Sequence, residues 1–281
     1  MASQEKTIPL KPFVKWVGGK GRLLTQLEPL LPSGVENMRH VEPFMGGAAL
    51  FFARRPACAL LCDINPALVE TYKMVRDRVK EVIDALASLA HKHSIDHYYE
   101  VRIAYNASRG EKHGPDRTAQ FIYLNKTCFN GLYRVNQKGE FNVPAGRYKN
   151  PRILDAGRLH AASLRLWNTI LVSAPFEQLD HHVRPSDFVY MDPPYEPVSR
   201  TANFTGYAAG GFSQEDQGRL RDMFDELTQR GCKCMLSNSN VPFIRDLYRR
   251  HRIDVVQAPR SVNRNANGRG KVAEVVIRNY G

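Results

Sequence analysis

The residues best suited to chemistry are Met191-Asp192-Pro193-Pro194-Tyr195, which follow the apolar run Phe188-Val189-Tyr190. They stand at the carboxyl end of an expected strand, where open α/β sheets bind ligands. Two successive prolines end the strand, stiffen the turn and remove two N–H donors, so the backbone offers carbonyl acceptors beside the Asp192 carboxylate. Tyr195 adds an aromatic face. This combination suits a planar ring bearing an amino group: the amino donates to Asp192 and the Pro193 carbonyl, the ring stacks on Tyr195, and the nitrogen lone pair is turned toward an electrophile. The alternative is a rigid strand-ending turn, since Asp-Pro and Pro-Pro pairs are both turn formers.

Two glycine turns accompany this motif. In Val41-Glu42-Pro43-Phe44-Met45-Gly46-Gly47-Ala48-Ala49-Leu50 an apolar strand feeds paired glycines and then a helix, which lets a ligand approach the backbone closely. The GxGxxG spacing is missing, which disfavours a nicotinamide cofactor. Asp63, 17 residues beyond Gly46, follows the next strand, where nucleotide-binding α/β folds put an acid on ribose hydroxyls. Together these features imply an adenosine-type cofactor, although a tight packing turn and a helix N-terminal charge would account for each alone. Lys15-Trp16-Val17-Gly18-Gly19-Lys20-Gly21 fails as a phosphate-binding loop, because Val14 stands where the first Gly belongs and Gly21 replaces the Ser or Thr. Trp16 is instead placed to pack on a cofactor and Lys20 to pair with a carboxylate, against the simpler reading of a buried Trp beside a solvated Lys.

The elements that must position these residues read as an α/β domain with a largely parallel sheet. Strands are predicted over Arg39 to Phe44, Ala59 to Asp63, Thr169 to Ala174, Phe188 to Asp192, Lys233 to Ser237, Ile253 to Gln257 and Val272 to Ile277. About 100 residues separate the second and third runs, far more than a βαβ crossover needs, so a segment is inserted there. Residues 65–155 are expected to form an inserted domain, and residues 1–64 and 156–281 the catalytic one. The insertion opens with a helix capped by Asn65, with Pro66 in its first turn and an apolar stripe of Leu68, Tyr72, Val75, Val79, Val82, Leu86 and Leu89. Farther on, Gly131, Gly139, Pro144, Gly146 and Pro151 punctuate a basic, aromatic-rich loop or hairpin. Ser213 with Asp216 resembles a capping box for a helix running to Gly231, and Ser237-Asn238-Ser239-Asn240 is placed to line the ring pocket.

With 281 residues, 43% hydrophobic and 24% charged, the chain is long enough for one large domain or two modest ones. The opening MASQEKTIPLKPFVKW has no apolar signal core, and no stretch reaches the roughly 20 apolar residues of a membrane span, so a cytoplasmic protein without membrane contact is expected. Five scattered cysteines without a CxxC pair argue against a disulfide framework and a zinc ribbon, and nine histidines form no HExxH set, so no metal is expected. The net charge of +12 resides wholly in residues 93–165 and 245–281, the remainder being balanced. Such charge is the footprint of a polyanion-binding protein or a generally basic surface. The glycine- and asparagine-rich basic stretch from Arg260 to Lys271 is either a phosphate clamp or solvated chain.

KWVGGK, VEPFMGGAALFF, LCDINP, FNGLYRVNQKGEFNVPAGRY and DPPY, in this order, resemble the blocks of Dam-type DNA adenine-N6 methyltransferases over about Lys11 to Ile277. The resemblance implies a class I methyltransferase fold, Rossmann-like with a mostly parallel sheet, carrying an inserted helical and β-hairpin DNA-recognition domain. It implies S-adenosyl-L-methionine (AdoMet) as methyl donor, double-stranded DNA as substrate, and in-line transfer to N6 of a flipped adenine, with GATC as target. The expected setting is a bacterial or phage-infected cell, and the expected state a monomer in solution, with room for more than one copy on DNA. Carried over by position, Trp16, Lys20, Phe44, Gly46, Gly47, Asp63 and Asp192 meet AdoMet, and Asp192, Pro193, Pro194 and Tyr195 form the catalytic set. Phe129 wedges into the duplex, Leu132 and Arg134 face base edges, and Asn130, Pro144, Arg147 and Tyr148 complete the DNA contact.

Overall fold

The computed structural model describes residues 10–198, 211–259 and 271–281. Seven strands form one sheet: β1 (His40–Glu42), β2 (Ala59–Asp63), β3 (Thr169–Ser173), β4 (Phe188–Met191), β5 (Lys233–Ser239), β6 (Arg252–Pro259) and β7 (Lys271–Arg278). Their order is β3-β2-β1-β4-β5-β7-β6, with β1 to β5 parallel and β7 antiparallel to both neighbours. This is the mostly parallel sheet expected of a class I methyltransferase. β4 is buried at all four positions, as a central parallel strand covered on both faces must be. The order turns back between β1 and β4, which opens a crevice at the carboxyl ends of the strands.

Helices cover the sheet as α1 (Leu24–Leu27), α2 (Ala49–Arg54), α3 (Pro66–Asp77), α7 (Ala156–Leu166), α8 (Gln214–Gln229) and α9 (Pro242–Leu247). The Asn65 side chain accepts from the Leu68 N–H at 3.2 Å, and Ser213 with Asp216 forms the expected capping box at the start of α8. The stripe from Leu68 to Leu89 predicts a single helix, but α3 ends at Arg78 (φ −138°, ψ 40°) and α4 (Val79–His91) begins beyond it. No proline or glycine marks this break. The two halves pack differently: both touch α6 (Pro115–Thr127) and α7, but α3 also lies on β2 and β3, whereas α4 packs chiefly on α6.

α5 (Ile95–Ala107) packs on α6, and together they support the segment from Cys128 to Tyr148. One apolar core runs without a gap from the sheet into this insertion, joining Phe52 and Tyr72 to Tyr98, Tyr123 and Phe141. A second, beneath α8 and α9, gathers Val41, Val189, Leu220, Phe224 and Ile244. Each such side chain, fully buried, contributes about 1.5–3 kcal/mol. Among the described residues no helix is long and apolar enough to cross a membrane.

Candidate active site

Asp192 begins where β4 ends, so the hydrogen-bonded sheet fixes its backbone before the prolines turn the chain. Lys20 Nζ lies 2.8 Å from Asp192 Oδ1, 2.8 Å from the Gly18 carbonyl that it donates to, and 4.5 Å from the centre of the Tyr195 ring. The ammonium thus joins the carboxylate to the aromatic face. Among the described residues Lys20 is the only partner of the Asp192 carboxylate, whose oxygens have lone pairs left for further donors. Burial pushes the Asp192 carboxyl up to about 6, against the opposing pull of Lys20. At neutral pH it is therefore an anion, held in a site that disfavours charge.

Three residues outside the motif hold this turn. Gln217, on α8, donates to the Pro194 carbonyl at 3.1 Å, and the buried Asn238, at the end of β5, donates to Gln217 Oε1 at 3.1 Å. Asn238 Oδ1 also accepts the Glu196 N–H at 3.1 Å, and the Tyr195 hydroxyl donates to Glu274 Oε2 on β7 at 2.8 Å. Of these, only Asn238 carries a sequence signal, through its position after an apolar run. Gln217 and Glu274 stand on expected elements whose neighbourhood the sequence leaves open.

The glycine turn lies on the other side of the crevice. Gly46 has φ +45°, and a Cβ there would come within 2.7 Å of Trp16 Cδ1, so only glycine fits. Trp16 stacks its other neighbour, Tyr133 of the insertion, at 5.9 Å between ring centres. Asp63 Oδ2 accepts the Gly46 N–H at 3.0 Å and Oδ1 the Asn65 N–H at 2.9 Å, so this carboxylate shapes the turn and keeps one lone pair on each oxygen for a further donor. Burial raises its pKa in spite of both bonds. Phe44 packs against Phe176 and Phe212 at 5.3 and 5.9 Å, an aromatic wall of which the sequence reading names only Phe44.

Beneath the turn, Glu42 Oε1 accepts the Phe51 N–H at 3.0 Å and meets His40 Nε2 at 2.7 Å, while Arg54 approaches His40 Nδ1 at 2.7 Å. A guanidinium only donates, so the imidazole proton sits on Nε2. Burial holds His40 neutral and pushes Glu42 up to about 8, which makes the contact a hydrogen bond between neutral groups.

The insertion presents its residues on a hairpin. Phe129, Asn130, Arg134, Pro144, Arg147 and Tyr148 are exposed and Leu132 is half-buried. Asn142 N–H donates to the Arg134 carbonyl, Asn136 N–H to the Glu140 carbonyl and Phe129 N–H to the Pro144 carbonyl, which tie the two arms together. From α5, Tyr98 donates to the Val143 carbonyl at 2.7 Å and Asn106 brackets Phe141 on both backbone groups. Arg134 Nε donates to Asn142 Oδ1 at 2.8 Å. The buried Asn125 accepts from Lys15 N–H at 2.7 Å and donates to the Lys15 and Gly131 carbonyls at 2.8 and 3.2 Å, tying the hairpin base to the Trp16 segment. The stretch from Arg260 to Lys271 lies outside the described residues except for Lys271, the first residue of β7.

Residues 16–262 match the model of the D12 class N6 adenine-specific DNA methyltransferase family. The chain is 42% identical to a type II methyltransferase of Methanocaldococcus jannaschii over 96% of this chain and 99% of that one. It is 40% identical to a type II methyltransferase of Lactococcus lactis subsp. cremoris (99% and 98%) and 35% identical to the DNA adenine methylase of Escherichia coli K12 (94% and 93%).

Proposed function

This chain belongs to the D12 class of N6 adenine-specific DNA methyltransferases, and from that premise we propose that it transfers the methyl group of AdoMet to N6 of an adenine flipped out of a GATC duplex. The observation that carries the reading is the buried Asp192 carboxylate, partnered among the described residues by Lys20 alone, beside the Tyr195 ring at the carboxyl end of β4. An amino group entering there donates to a remaining lone pair of this carboxylate. Its second proton goes to the Pro193 carbonyl, while the Pro194 carbonyl accepts from Gln217. Tyr195 supplies the stacking face.

The glycine cradle suits the proposed donor: Gly46 admits no side chain, Asp63 keeps lone pairs for ribose hydroxyls, and Phe44 offers an apolar wall. Trp16, Lys20, Phe44, Gly46, Gly47 and Asp63 would hold it, and bound there AdoMet supplies an electrophilic methyl group on a sulfonium. Holding N6 between two acceptors favours a tetrahedral nitrogen with its lone pair directed at that methyl. Positive charge then develops on N6, and the Asp192 carboxylate stabilises it before taking up a proton.

In this reading residues 65–155 carry target recognition. Arg147 neutralises phosphate, Phe129 wedges into the stack, Leu132 and Arg134 face base edges, and Asn130, Pro144 and Tyr148 complete the contact. The GATC assignment rests on the likeness of the block from Phe129 to Tyr148. Its test is transfer of labelled methyl from AdoMet to matched duplexes bearing GATC or GTAC, with the modified base identified by mass. N6-methyladenine confined to GATC is expected. Equal methylation of both duplexes would remove the target assignment, and no transfer would remove the catalytic one.

A further inference from the structure

Tyr195 is held at three points. Its neighbours on both sides have fixed backbones, Pro194 through the bond from Gln217 and Glu196 through the bond to Asn238. The freedom left to Tyr195 is that of its side-chain torsions, and the far end of the ring is pinned where the hydroxyl donates to Glu274 Oε2 at 2.8 Å. The antiparallel register of β7 delivers that carboxylate, pairing Glu274 with Ser239 at the end of β5 and with Val256 of β6. We propose that Glu274 is a positioning residue for methyl transfer, orienting the Tyr195 ring on which the target base stacks and making its face more negative. The proposal rests on the functional reading above.

Two observations separate this role from plain satisfaction of a buried hydroxyl. A neutral acceptor would satisfy the hydroxyl equally well, whereas Glu274 brings a second negative charge close enough to disfavour ionisation of Asp192. A phenol that donates to a carboxylate gains electron density in its ring, which strengthens attraction to a cation over its face. Lys20 Nζ already lies 4.5 Å from that ring centre. During transfer the stacked base becomes cationic, so an enriched ring lowers the barrier more than it tightens ground-state binding.

The test compares Glu274→Gln, Tyr195→Phe and the double variant in single-turnover methyl transfer to a GATC duplex, with DNA and AdoMet affinities measured alongside. Each single variant is expected to slow transfer about tenfold, with both affinities held within about twofold of the parent. The double variant is expected to be no slower than the slower single one, because Tyr195→Phe already removes the bond through which the Glu274 charge acts on the ring. Wild-type speed in Glu274→Gln, or multiplicative losses in the double variant, would overturn the proposal while leaving the methyltransferase reading intact. Should Glu274→Gln fail to fold, Tyr195→Phe decides: slowed transfer with intact binding supports the proposal, and an unchanged rate overturns it. Absence of transfer by the unsubstituted protein would overturn the functional reading and this inference together.

Discussion

Replacing Lys20 by Met removes the cation 2.8 Å from Asp192 while keeping most of the side-chain volume. With the carboxyl at about 6, roughly nine-tenths of Asp192 is ionised at pH 7 in the parent protein. Loss of an adjacent opposite charge raises a carboxyl pKa by about 1–3 units, which moves the midpoint to between about 7 and 9. Taking about 8, one-tenth is ionised at pH 7, so the rate falls about ninefold there and recovers at higher pH. The assay is kcat/KM for AdoMet against pH, which reports groups of the unliganded enzyme. If Lys20 only held the methyl donor, kcat/KM would drop at every pH and the acidic limb would stay near 6; that result would refute the reasoning. Stability supplies a second check. The folded-state pKa of Asp192 is raised, so the folded protein binds this proton more tightly, and the buried anion costs stability as pH rises from 3.8 to about 6, roughly 3 kcal/mol in all. In Lys20→Met that cost keeps growing above pH 6, and the gap in unfolding free energy between the two proteins should widen from pH 5 to pH 8.

Gly46→Ala should cost about 1–2 kcal/mol from the left-handed backbone alone, with more for moving Trp16, whose Cδ1 the added Cβ would meet at 2.7 Å. Gly47→Ala meets Trp16 Cβ only at 3.4 Å and should stay close to the parent; equal urea midpoints for the two variants would contradict the turn geometry. Glu42→Gln should be tolerated at pH 7, because the carboxyl it replaces is protonated there, its pKa being about 8. The raised pKa means that the parent loses stability from about pH 4.5 up to about 8, so Glu42→Gln should be the more stable protein at pH 9, and a wider deficit at pH 9 than at pH 7 would show that Glu42 is buried as an anion.

Local chemistry in the chain determined a good deal. Alternating apolar runs and turn residues located the seven strands, since burial on both faces demands continuous apolar sequence and turns demand glycine or proline. Asn65 and Ser213 were legible as caps because a cap acts within three residues of itself. The Asp192 to Tyr195 turn and the Gly46 turn were legible because a short stretch of chain carries both the acceptors and the backbone freedom their chemistry requires. Tertiary structure alone decided the rest. The break at Arg78 falls where the chain leaves β2 and β3, on which α3 lies, for the packing of α4 chiefly on α6, and no residue at the break announces it. Glu274, 79 residues beyond Tyr195, reaches the hydroxyl only through the antiparallel return of β7 beside β5. Asn125 meets Lys15 across 110 residues. Whether Asp192 and Glu42 sit far above their ordinary pKa likewise depends on burial among distant segments, because desolvation is set by everything packed around a charge.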